Sequence, residues 1–139
     1  MRSKCLLVSN ILATLYSAVL LYIFGGAIIQ AGGIDYIEAL AEYFDFAFEV
    51  LKFDSPTLTF LYVFLVLISV HVVTFVIGCL FGWIAFLTKK SGIAKFAATL
   101  YLIGSICFPI YLVFGLPITI IGFIGGSKQK IINRQSTAL

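Results

Sequence analysis

One histidine and six carboxylates are the residues with which this chain could do chemistry. His71 sits in FLVLISVHVVTFVIG, while Asp35, Glu38, Glu42, Asp45, Glu49 and Asp54 all fall within GIDYIEALAEYFDFAFEVLKFD, Gly33 to Asp54. A histidine inside an apolar run can carry a proton near neutral pH, ligate a metal, or join two helices through its ring nitrogens. Counted from Pro56 to Thr88, His71 lies near the middle of its apolar stretch, and Tyr16, Ser17 and Thr14 lie at similar depth in the stretch before it. The expectation is a neutral ring hydrogen-bonded between helices, with a pH sensor or ligand contact as the alternative. Cys79 is eight residues away, which puts it roughly 80° off a common helix face, so a metal pair is not expected.

The six acids read differently. Ile34, Ile37, Leu40, Ala41, Phe44, Phe48 and Leu51 recur at spacings of three and four, and Asp35, Glu38, Glu42, Asp45 and Glu49 recur at the same spacing on the other side. That pattern predicts an amphipathic helix over 34–52. It starts after Gly32 and Gly33 and stops before Asp54, Ser55 and Pro56, where a cap and a first-turn proline open the next helix. Tyr36, Tyr43, Phe46 and the apolar side suit an interfacial position. The carboxylate stripe is either a solvated face or a docking surface for a cationic peptide, a basic partner or divalent ions. It lacks the glycine-turned, oxygen-rich loop of a calcium hand.

No phosphate loop, nucleophile elbow, catalytic carboxylate pair or nucleic-acid module is present. Cys5, Cys79 and Cys107 lie within or at the ends of apolar segments, without metal-type spacing or a disulfide framework, and read as small hydrophobes; Cys5 at the boundary is open to acylation. No cofactor, metal site or enzymatic activity is expected.

The elements that must position these residues belong to a bilayer. The chain is 62% hydrophobic and only 11% charged, against about 45–50% and about 25% in soluble domains. Three stretches carry no charge: Cys5 to Gln30, Ser55 to Thr88 and Phe96 to Ser127. The first is too long for the apolar region of an export signal and has only a weak cleavage pattern at Ile29 and Ala31, so it reads as a retained helix.

Lysine and arginine near span ends stay on the cytoplasmic side. Arg2 and Lys4 precede the first span, Lys89, Lys90 and Lys95 follow the second, and Lys128, Lys130 and Arg134 follow the last apolar stretch. With those clusters inside, the acidic segment lies outside, its six acids and Lys52 giving −5 against +8 for the rest and +3 overall. A single final span would carry Lys128, Lys130 and Arg134 outside, so Phe96 to Ser127 is expected to fold as two arms, broken near Pro109. The rival is one long kinked helix ending outside.

The resulting fold class is all-α: a polytopic membrane protein with four transmembrane helices in a bundle, at about 5–30, 56–88, 93–108 and 110–127, plus the extracellular amphipathic helix. Both termini are cytoplasmic in the cell membrane. Gly78 with Gly82, and Gly122 with Gly126, form GxxxG pairs suited to close helix packing, within one chain or between copies.

The closing segment, KKSGIAKFAATLYLIGSICFPIYLVFGLPITIIGFIGGSKQKI, resembles the last helical hairpin of small four-span membrane proteins of Gram-positive bacteria, with lysines before a glycine-bearing apolar arm and a second arm ending in glycines and lysines. The resemblance implies topology and carries no functional residues. The plan is also similar to that of claudins, whose outer-loop Trp, Gly-Leu-Trp and paired cysteines are absent here.

Three function classes follow. The first is a non-enzymatic accessory, regulatory or immunity-type protein that binds another membrane component, a membrane protein or cationic peptide, through Asp35, Glu38, Glu42, Asp45 and Glu49. The second is a self-assembling channel or holin-like pore, and the third a lipid-handling enzyme. Homo-oligomers are compatible with all three; nucleic acid is not an expected partner.

Overall fold

The computed structural model describes residues 2–30, 38 and 56–137. Among them are four long helices and no strand: α1 (Lys4–Gln30), α2 (Pro56–Thr88), α3 (Ser91–Cys107) and α4 (Leu112–Thr137), with a 3-10 turn at Pro109–Tyr111. Three stretches, Lys4–Gly26, Val66–Thr88 and Pro109–Ser136, are long and apolar enough to cross a membrane; α3 is apolar but shorter. Its 17 residues reach about 26 Å. Of the acidic segment, only Glu38 is described, and it is helical and exposed. The expected helix over 34–52, with Asp35, Glu42, Asp45 and Glu49, otherwise lies outside the described residues.

The helices go round in order, each packed against the next and α4 against α1. Contacts at descending positions make every neighbouring pair antiparallel. Between α1 and α2, Asn10 meets Gly82 and Ser17 meets Phe75. Between α2 and α3, Gly78 meets Tyr101 and Thr74 meets Gly104; between α3 and α4, Ala98 meets Gly122 and Ala94 meets Gly126. Leu6 abuts Gly125 to close the ring.

Apolar residues face outward as well as inward, as helices hydrophobic all round do in lipid. Leu15, Val19, Leu80, Leu87, Ile103 and Val113 are exposed, while Ala13, Leu20, Phe75, Cys79, Ala97, Tyr101 and Ile118 form the core. A smaller cluster, Leu6, Ala85 and Ala94, closes the end near the cations.

Lipid supplies no hydrophobic drive between helices, so close packing must hold them, and small residues permit it. A Cβ at Gly125 would lie 2.7 Å from the Leu6 backbone nitrogen, and one at Gly78 2.7 Å from the Tyr101 ring. Gly82 faces Asn10 and Tyr101, Gly122 faces Ser9 and Ala98, and Gly126 faces Lys95 and Ala94. Both GxxxG pairs therefore mark contacts inside one chain.

The turn between α3 and α4 follows from Pro109. It has no N–H to continue α3, and the last amide of the helix end, Phe108 N–H, bonds Gly104 O at 3.3 Å. Pro117, by contrast, rides inside α4; two residues on, Thr119 Oγ1 donates to Gly115 O one turn back at 2.9 Å. α4 runs on past Ser127. Its glycines there are helical close-approach points, and the helix continues through Lys128 and Lys130 to Thr137. Gln129 ties that extension to the N-terminus through Ser3 N–H, at 2.9 Å.

All three basic clusters meet at one end of the bundle. Arg2 lies over the Phe86 ring at 5.0 Å, Lys128 Nζ is 3.4 Å from Cys5 Sγ, Asn133 Nδ2 donates to Lys89 O at 2.8 Å, and Lys95 packs against Gly126. The α3–α4 turn forms the opposite end.

Candidate functional site

His71 is fully buried, and both of its ring nitrogens are engaged. Nδ1 lies 2.7 Å from Gly104 O. A carbonyl only accepts, so Nδ1 carries the proton, and Nε2 is left to accept from the Tyr16 O–H at 2.8 Å. One neutral tautomer satisfies both bonds and joins α1, α2 and α3 through a single ring. Gly104 makes this reach possible, since a Cβ there would stand 2.5 Å from Thr74 Oγ1.

Aromatic rings enclose the pair. Phe75 lies 4.9 Å from the imidazole centroid and Phe108 5.8 Å, while Tyr111 stacks at 5.8 Å and 23°. Tyr16 meets Phe75 edge-on at 4.8 Å, and Phe114 of α4 stacks beside Tyr16 at 6.3 Å. His71 is near the middle of α2 along the chain. In the bundle, however, the register that sets Thr74 and Phe75 against Gly104 brings it level with the closed end of the α3–α4 hairpin. Position along α2 alone suggested mid-bundle depth; the shorter hairpin decides otherwise.

Ser17 does not join this centre. Its hydroxyl donates to Phe75 O at 3.4 Å. Thr14 belongs to a second polar group nearer the charged end, where Trp83 Nε1 donates to Thr14 Oγ1 at 2.9 Å, Thr14 Oγ1 donates to Asn10 O at 2.7 Å, and Cys79 Sγ lies 3.3 Å from the same hydroxyl. Asn10 Nδ2 donates to Gly82 O at 2.8 Å, and Ser9 Oγ to Ile118 O at 3.0 Å. Beside Gly82 stands the Tyr101 hydroxyl, buried and without a hydrogen-bond partner.

Asn10, Gly104 and Gly125 were not singled out from the sequence, whereas Tyr101 reads there as an interfacial or packing aromatic. A signal for the first existed: Ser3, Leu6, Ser9, Asn10, Ala13, Ser17 and Leu20 are all buried, and they recur at helical spacing as a small and polar stripe along an otherwise apolar helix. Nothing comparable marks Gly104 in sequence.

Chemically, the arrangement holds helices together. Among the described residues, no group of three His, Cys, Asp or Glu is placed to hold a metal. Cys5, Cys79 and Cys107 are free thiols. No family model, no curated protein and no solved structure matches this chain.

Proposed function

We propose that this chain is a four-span protein of the cell membrane, with both termini cytoplasmic, that acts by binding another membrane component and not by catalysis. The observation that carries this reading is the use made of the polar core: His71, Tyr16, Asn10, Ser9 and Ser17 each bond another helix, so the groups with reactive potential serve cohesion. Convergence of the three basic clusters at one end of the bundle supports four crossings, because a cation-retaining face then takes both termini and the α2–α3 turn. A span as short as α3 fits with local thinning and snorkelling of Lys95.

The candidate for recognition is the acidic segment, which four crossings would put on the other side of the membrane from the basic clusters. Asp35, Glu38, Glu42, Asp45 and Glu49 would attract a basic membrane-protein segment or a cationic peptide. Cross-linking and co-purification of the tagged chain from native membranes test this. A stable companion is expected, lost when Glu38, Glu42 and Glu49 become Gln and Asp45 becomes Asn; unchanged recovery with the neutralised chain would refute the acidic contact. In the pore alternative, the lumen would lie between copies, since buried side chains such as Phe75, Tyr101 and Ile118 fill the core of one chain. Dye leakage from liposomes holding the purified protein alone would favour that alternative.

A further inference from the structure

The α2–α3 turn and the end of α4 border a shallow, open cleft of about 650 Å³, lined by Lys89, Lys90, Ser91, Gly92, Asn133 and Ser136. Its walls are tied together: Lys89 turns the chain with φ 57°, and Asn133 Nδ2 bonds the Lys89 carbonyl at 2.8 Å. Two lysines stand exposed at its mouth. The first backbone bond at this end of α3 is Ala94 N–H to Lys90 O at 3.2 Å, and no side chain caps the helix, so the Ser91 and Gly92 amides add donors to the same cleft.

The surroundings specify an anion. Glu38 is the only acid among the described residues, while the eight cations outside the acidic segment all gather at this end. They also specify where that anion resides. The cleft opens where the apolar helix surface stops, next to exposed Leu87 and Phe96, which is the level of lipid headgroups for a chain whose helices cross the bilayer.

The geometry points to a seat for the phosphate of an anionic phospholipid, held by Lys89, Lys90 and the first turn of α3, with the acyl chains lying along the apolar flanks. Basic pockets at the ends of membrane helices suit such headgroups, each cation near the surface adding favourable free energy. This seat depends neither on the acidic contact nor on which face is cytoplasmic.

The test uses the full chain reconstituted in phosphatidylcholine vesicles with a minor fraction of phosphatidylglycerol, then extracted in mild detergent and read by native mass spectrometry. Phosphatidylglycerol is expected to stay bound in preference to phosphatidylcholine. Lys89→Gln with Lys90→Gln should weaken its retention by about 30-fold. Gly92→Phe keeps every charge, and a Cβ at Gly92 meets nothing within 4 Å; the ring should crowd the first turn of α3 and lower retention while thermal unfolding stays unchanged. Lys128→Gln with Lys130→Gln, the same charge removed outside the cleft, should retain the lipid. Equal loss with both lysine pairs and none with Gly92→Phe would replace the seat by diffuse surface attraction. Displacement of the lipid by inorganic phosphate at matched concentration would make the ligand a soluble anion and overturn the assignment.

Discussion

The Tyr101 ring lies in the core between Phe75, 5.3 Å away, and Gly78, yet its hydroxyl has no partner. A buried donor left unbonded costs about 1–3 kcal/mol. Tyr101→Phe is therefore expected to leave the fold intact and raise stability by about 1 kcal/mol, measured as an upward shift of the thermal unfolding midpoint in detergent; a downward shift would mean that the hydroxyl is bonded in the membrane. Tyr16 presents the opposite case. Tyr16→Phe removes one interhelical bond to His71 and should cost about 1 kcal/mol. His71→Phe removes two and should cost about 2 kcal/mol. A double-mutant cycle of the two should give non-additive losses if they share the bond, whereas additive losses would place their effects in separate interactions.

At the scale of elements, glycine positions divide into those pressed against a neighbouring helix and those facing open space. Gly125→Ala would drive its methyl into the Leu6 backbone, which cannot rotate away, and should cost about 1–3 kcal/mol. Gly25 meets nothing within 4 Å, so Gly25→Ala should be neutral or stabilising by up to about 1 kcal/mol through helix propensity. Chemical denaturation of both variants in the same micelle checks the contrast, and equal effects would place the α1–α4 crossing elsewhere. The same geometry accounts for two adjacent glycines inside α4: Gly125 and Gly126 permit close approach to α1 and α3, and that packing offsets the weak helix preference of glycine.

At the scale of the whole molecule, the basic clusters among the described residues join at one end of the bundle through contacts between Arg2 and Phe86 and between Asn133 and the Lys89 carbonyl. In a four-span topology, single cysteines introduced at Lys130 and at Asp45, with the native thiols replaced, should label from opposite sides of intact cells or vesicles. Labelling of both from the same side would require one long final helix in place of a hairpin that crosses the membrane twice.

Residue chemistry alone determined that the helices are apolar enough for lipid, that all six acids share one segment with a single cation, Lys52, while the other eight cations lie outside it, and that Pro109 interrupts the last apolar stretch, because hydropathy, charge and a missing amide act locally. It also identified His71 as a ring in need of partners and Tyr16 as a candidate. Which atoms answer that need was decided only by tertiary structure: Gly104 O, reached because a glycine lets α2 and α3 approach, and a depth set by a hairpin shorter than its neighbours. The inward role of both glycine pairs, the orphaned Tyr101 hydroxyl and the cleft beside Lys89 share that origin. Each depends on which helix stands opposite and in what register, and those are properties of packing between residues distant in the chain.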